Sequence, residues 1–185
     1  MSETVDLPCG VVLRSVREDD APAMHDALLR NREHLMPFEA DRPESYWTLD
    51  GQRDRLRMLL RKQADGELVS RVIVDGAKIL GYASLNALTP RPVCGAAVGY
   101  WVDAAASGRG LATAAVGDLL RIAGTLGVHR VEAGTSPSNL ASQRVLTKNG
   151  FERYGTAHSH LYLDGAWQDS FLFERILDDR PPAGR

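Results

Sequence analysis

The 185-residue chain is 44% hydrophobic and 25% charged, ordinary values that suit one globular domain with a substantial core. Its formal net charge of −2 excludes the broad basic field of a nucleic-acid-binding protein, and no apolar run reaches the roughly 20 residues of a membrane-spanning helix. The acidic start, residues 1–6, has no signal-peptide core, and Cys9 and Cys94 stand far apart in no metal-type spacing, so both read as reduced thiols of a cytoplasmic protein.

Residues 11–16 form the first apolar run and predict a strand. Asp19 or Asp20 is placed to cap a helix that carries Pro22 in its first turn and ends near Arg30. Residues 31–46 read as irregular, with Met36-Pro37-Phe38 and Arg42-Pro43 inside. A second helix over residues 48–64 gathers Leu56, Leu59 and Leu60 on one side and arginines on the other. The period then shortens to two. Residues 67–75 and 78–88 are strands joined by the turn Asp75-Gly76, and residues 96–102 are a third consecutive strand. After a glycine loop, a helix runs to about Leu126. Residues 128–134 are a strand and 139–148 a short helix, with Gly150 where a left-handed C-cap belongs. Residues 154–163 and 167–176, joined at Asp164-Gly165, predict a closing hairpin. Residues 1–177 read as one domain, and 178–185, with Pro181-Pro182, as a disordered tail.

Strands joined by hairpins are antiparallel, whereas a strand–helix–strand step is normally parallel. The order therefore predicts an α+β fold, with a mixed, mostly antiparallel sheet flanked by helices.

The most informative stretch is Val98-Gly99-Tyr100-Trp101-Val102 followed by Ser107-Gly108-Arg109-Gly110-Leu111-Ala112-Thr113. It is a strand, a loop with two glycines, and a helix start. A helix start leaves about four N–H groups without partners and carries partial positive charge, which suits a phosphate or diphosphate. A Walker loop requires Gly-Lys followed by Ser or Thr, and no such string occurs. A dinucleotide fingerprint requires Gly or Ala where Thr113 stands, and it opens a parallel βαβ unit rather than following hairpins.

Downstream come Ser136-Pro137-Ser138-Asn139, Ala141-Ser142-Gln143-Arg144 and Lys148-Asn149-Gly150-Phe151. Gly-Tyr-Trp-Val, Ser-Gly-Arg-Gly-Leu-Ala-Thr, Asn-x-x-Ser and Lys-Asn-Gly-Phe, in this order and spacing, resemble the GNAT family of acetyl-CoA-dependent N-acetyltransferases. Within it they are most similar to the ribosomal-protein N-terminal acetyltransferases of the RimJ/RimL type. The resemblance covers nearly the whole chain and is strongest over residues 98–151.

That resemblance implies that the strand at 98–102 splays from the one at 131–134 and takes the pantetheine arm of acetyl-CoA along the backbone of Trp101 and Val102. It implies a diphosphate on the amides of Gly108, Arg109, Gly110, Leu111, Ala112 and Thr113, with a charge-assisted contact from Arg109. Asn139 would bond the pantetheine arm, besides being a natural N-cap, and Ser142 would protonate the departing thiolate. A backbone N–H near Val102 would serve the oxyanion. Two departures stand out: Ala105, where the pattern has Gln or Arg, and Ala97, where the branch often has Glu. With that carboxylate missing, Glu132 is the first candidate for the general base, and Glu39 and Asp41 are substitutes. Tyr46, Trp47, Met36 and Phe38 fall in the segment that walls the acceptor pocket.

His158 and His160 share one side of a strand but have no third ligand nearby, so no metal site is expected. Cys94 has no partner at a nucleophile's spacing. The implied reaction is direct attack of an amine, in first place a protein N-terminus, on the thioester of acetyl-CoA. A small amine such as an amino acid, polyamine or aminoglycoside is the alternative acceptor. A non-catalytic acyl-CoA-binding protein is the rival class, since Ala105 and Ala97 lend it weight, and a nicotinamide-binding protein is the other. The family analogy also implies a homodimer built on the closing hairpin.

Overall fold

The computed structural model describes residues 4–7, 10–163 and 165–178. A single eight-stranded sheet runs in the order β1-β2-β3-β4-β5-β6-β8-β7. The strands are β1 (Val5–Asp6), β2 (Val12–Ser15), β3 (Val69–Asp75), β4 (Lys78–Thr89), β5 (Gly95–Val102), β6 (Arg130–Thr135), β7 (Glu152–Leu163) and β8 (Ala166–Ile176). The helices are α1 (Ala21–Arg30), α2 (Arg32–Leu35), α3 (Leu49–Ala64), α4 (Leu111–Thr125) and α5 (Leu140–Lys148). Every strand pair is antiparallel except β5 with β6, where the α4 crossover makes the pair parallel. The mixed, helix-flanked sheet expected from the sequence is the one observed.

The sheet is covered on both faces. Alternation along β5 sends Val98 toward a core built from α4 and α5, including Leu111, Val116, Leu119 and Leu146. It sends Trp101 toward the opposite core, with Met24 and Leu28 of α1 and Leu56 of α3. A sheet apolar on both sides buries its charged residues only in pairs. Arg71 of β3 meets Asp118 of α4 at 3.2 Å, and both are buried.

Two expectations need correction, and one short strand was not expected. Asp20 does not cap α1 with its side chain. Its buried carboxylate is taken by both terminal nitrogens of the Arg14 guanidinium, at 2.6 and 2.8 Å, and by the Arg17 amide. A charged acceptor prefers a guanidinium fork to a helix amide. Residues 31–46 are not structureless: they hold α2 and two 3₁₀ turns, Met36–Phe38 and Glu44–Trp47. The short strand β1 has too little periodicity to be visible in sequence. Elsewhere the signals hold. Thr48 caps α3 by accepting from the Gly51 amide. After α5, Phe151 N–H reaches Leu146 O and Gly150 N–H reaches Thr147 O, with Gly150 at φ +72°, which is a Schellman stop. Cys9, Asp164 of the hairpin turn, and 179–185 of the expected tail lie outside the described residues.

Candidate active site

The site begins where two neighbouring strands part. β5 and β6 pair only at Gly95↔Arg130, Ala96↔Val131 and Ala97↔Glu132. Beyond that, β5 stays zipped to β4 as far as Val102, and β6 stays zipped to β8 as far as Thr135. Each strand follows its other partner, so the edges from Val98 and from Ala133 face one another without a shared ladder. Strand edges without partners need donors and acceptors from elsewhere. A cavity of about 770 Å³ opens between them.

One end of this cavity is the glycine loop. Gly108 and Gly110 sit at φ +79° and +78°, a conformation that favours glycine. Gly110 is the N-cap residue of α4, and the first bond into the helix is Ala114 N–H to Gly110 O. Among the described residues, no amide from 108 to 113 donates to a protein carbonyl. Several N–H groups at the positive end of a 15-residue helix therefore open onto the cavity. Gly108, Gly110, Leu111, Ala112 and Thr113 line it. The Arg109 side chain does not; it is exposed beside the loop.

The start of α5 forms the adjoining wall. Asn139 Oδ1 accepts from the Ser142 amide at 3.0 Å, capping the helix, and its Nδ2 has no partner among the described residues. Ser142 Oγ lies 3.0 Å from Tyr100 Oη, which also reaches Ser142 O at 3.2 Å. Tyr100 thus spans the gap between β5 and α5. Burial pushes its phenol up to about 12, against a smaller lowering by the bond to Ser142. No local motif marks Tyr100; the available signal is its place two residues from Val98 and from Val102, on the same face of β5.

The other end of the cavity is walled by His34, Leu35, Phe38 and Glu39. Behind them, Arg42 and Arg55 stack on Tyr46, and Arg32 stacks on Trp47. Burial raises the Tyr46 phenol, against the charge of Arg55. Of the expected site residues, the structure brings Trp101, Val102, Asn139, Ser142 and the loop together around one cavity. It does not bring Glu132 there. On β6, Val131 and Ala133 face the core, so Glu132 faces the other way, 48% exposed, holding Arg130 at 2.7 Å and the Tyr154 hydroxyl at 3.0 Å. Asp41 does not line the cavity either. Among the described residues Glu39 is the one carboxylate that does.

A helix start with free amides, next to an unpaired strand edge long enough for an extended arm, has the chemistry to take a CoA thioester, the substrate of an acyl-transferring enzyme. The cavity's residues fit that substrate: free amides for the diphosphate, strand backbone for the amide-bearing arm, and a hydroxyl pair beyond. Residues 11–152 match the acetyltransferase (GNAT) domain family. The chain is 30% identical over 175 residues to the [ribosomal protein uS5]-alanine N-acetyltransferase of Escherichia coli, covering 93% of this chain and 90% of that protein. Its fold matches the ribosomal-protein-S5-alanine acetyltransferase of Vibrio fischeri at a TM-score of 0.92 and 31% identity, over 97% of this chain and all of that one. It also matches Mycobacterium smegmatis RimJ in complex with CoA-disulfide at 0.88 and 29% identity, over 97% and 88%. The chain belongs to the GNAT acetyltransferase family, and it is an N-acetyltransferase that uses acetyl-CoA as co-substrate.

Proposed function

We propose that the chain acetylates the N-terminal amine of a protein by direct attack on acetyl-CoA. The observation that carries this reading is that the cavity crosses the sheet at the splay. Its lining comes from the α1–α2 side (Leu35, Phe38, Glu39) and from the α4–α5 side (Leu111, Ser142, Lys148). Two substrates therefore enter from opposite faces and meet between β5 and β6 without an acyl-enzyme. On this reading the amides of residues 108–113 hold the diphosphate, the β5 edge at Trp101 and Val102 holds the arm, and Asn139 Nδ2 adds a donor. Holding the reactants in line supplies much of the acceleration, and an unpaired β5 amide stabilises the oxyanion. The amine nitrogen forms the C–N bond, the C–S bond breaks, and the electron pair leaves on sulfur beside Ser142. The ammonium proton passes to Glu39, directly or through one water. An α-amine is already about half neutral near pH 8, so a weak base suffices.

The named activities of the relatives support a protein acceptor. They also support a cytoplasmic place of work, and among the described residues no helix is long and apolar enough to cross a membrane. The eight strands paired in one sheet support a single domain over the described residues. Exposed Tyr154, Leu161, Tyr162 and Trp167 on the β7–β8 hairpin support a homodimer there.

The test is CoA release with N-terminal peptides against amino acids, polyamines and aminoglycosides. Peptides should turn over at least tenfold faster, and Glu39→Gln should cost roughly 100-fold with them. Preference for a free small amine would overturn the acceptor, and intact acetyl-CoA with every amine would overturn catalysis.

A further inference from the structure

Ser142 has two polar atoms in reach of one phenol, and a phenol has one proton to give. If Tyr100 donates to Ser142 O, only the serine's own proton can bridge Oη and Oγ, and the hydroxyl is turned away from the cavity. If Tyr100 donates to Oγ, the serine proton is free to point into it. Ser142 O lies inside α5, where the helical ladder already supplies a donor. Oγ has no other partner among the described residues.

We propose that Tyr100 is a positioning residue: its phenol donates to Ser142 Oγ and so aims the Ser142 hydroxyl proton at the departing thiolate. The inference rests on the proposed function, in which sulfur leaves beside Ser142, and it makes that hydroxyl a hydrogen-bond donor to the thiolate rather than the acid that protonates it. Bonds in such a chain polarise one another, so Oη–H to Oγ–H to sulfur is stronger than an isolated serine contact. Because burial raises the Tyr100 phenol, it keeps its proton at neutral pH and acts only as a fixed donor. A thiol is far more acidic than an alcohol or than this raised phenol, so the departing thiolate is a weaker base than either oxygen. Sulfur therefore leaves as a hydrogen-bonded thiolate and collects its proton from water, while Ser142 and Tyr100 end the turnover unchanged.

The test needs no acceptor. CoA is bound to the full chain and its thiol is titrated by ultraviolet thiolate absorbance. Donors lower a thiol's pKa because they favour its charged form. In the wild type the bound thiol should titrate about one unit below free CoA, a tenfold gain in thiolate. Ser142→Ala should lose that shift, Tyr100→Phe should lose most of it, and the double variant should match Ser142→Ala alone. Phe keeps the ring in place, and CoA binding in the same titration reports the fold. His34, Glu39, Arg144 and Lys148 also line the cavity and are common to all variants, so their influence cancels. In turnover, Tyr100→Phe should lower kcat about tenfold with KM for acetyl-CoA within twofold. A wild-type shift in Tyr100→Phe alongside its loss in Ser142→Ala overturns the role of Tyr100 and leaves that of Ser142 standing. Additive losses overturn it too, since Tyr100 would then act without Ser142. A wild-type shift in Ser142→Ala, or none in the wild type, means that the Ser142 reading itself has failed.

Discussion

The guanidinium of Arg30 closes on the carboxylate of Asp103 at 2.7 Å, joining the end of α1 to the residue that follows β5, 73 positions away in sequence. Next to it, Asn31 Oδ1 takes the Ala104 amide at 2.9 Å, and Asp103 Oδ1 takes the Ala105 amide. This clasp fixes the start of the turn that delivers the glycine loop. It also ties that loop to the α1–α2 segment, which carries the opposite wall of the cavity. The loop's aim therefore depends on residues far from it in sequence.

Asp103→Asn is expected to destabilise the fold by about 2–3 kcal/mol, because one partner is buried and the Arg30 head is partly solvated. Burial alone would raise the Asp103 carboxyl, but the bonds from Arg30 and the Ala105 amide, with the Arg30 charge, hold it below its ordinary value. A carboxylate depressed in the folded state contributes fully above its unfolded value of about 3.9 and loses that contribution as pH falls through the folded value. The deficit of the variant should thus be constant near neutrality and shrink below about pH 4 in urea titrations. CoA affinity should fall severalfold. A deficit that grows toward acid would contradict the sign of this pairing.

Gly110→Ala separates backbone strain from ligand contact. At φ +78° a Cβ costs about 1–2 kcal/mol, yet it would meet no protein atom within 4 Å. The space it enters is the approach to the α4 amides. CoA affinity should drop more than tenfold, beyond what partial unfolding explains. Gly124→Ala, inside the same helix with open space and ordinary φ, should stabilise by about 0.5–1 kcal/mol and leave CoA affinity alone. Isothermal calorimetry on both variants checks the pair.

The part of the site legible in sequence is the part made by contiguous chain. Gly108 and Gly110 before a run of helix formers specify a left-handed approach and free amides, and Asn139 with Ser142 three residues on specifies a capped helix. Neither needs knowledge of what packs where. The rest comes from pairings that only the fold brings together. Tyr100 and Ser142 are 42 residues apart, and Asn31 and Ala104 are 73 apart. Glu39 was one of several carboxylates in a segment without periodicity, and the 3₁₀ turn Met36–Phe38 before it decides that it faces the cavity while Asp41 does not. Asp20 shows the opposite failure. Its local pattern marks a helix cap, but Arg14, on the preceding strand, competes for the carboxylate and wins.

Asn139 serves two purposes that one substitution can divide. Asn139→Asp keeps the oxygen that accepts from the Ser142 amide and adds negative charge at a helix start. It removes the Nδ2 donor. Thermal stability should hold or rise by a degree or two, whereas KM for acetyl-CoA should rise about tenfold. Asn139→Ala should lose both, with about 1 kcal/mol of stability, or roughly 2–4 °C for a domain of this size. Equal KM values for the wild type and the Asp variant would confine Asn139 to capping.

Glu132→Gln should leave turnover within about twofold of the wild type. Its carboxylate faces away from the core that covers the cavity, and Arg130 and the Tyr154 hydroxyl already occupy it. Arg130 is shared with Glu174 at 2.7 Å, so the amide leaves that cation a partner. An exposed pair of this kind contributes at most about 1 kcal/mol, and Tm should move by no more than a few degrees. A general base removed from a transferase costs 100-fold or more. Side-by-side rates for Glu132→Gln and Glu39→Gln therefore decide between the β6 carboxylate and the cavity wall. A large loss in Glu132→Gln would mean that the hairpin around Tyr154 rearranges to carry Glu132 to the amine.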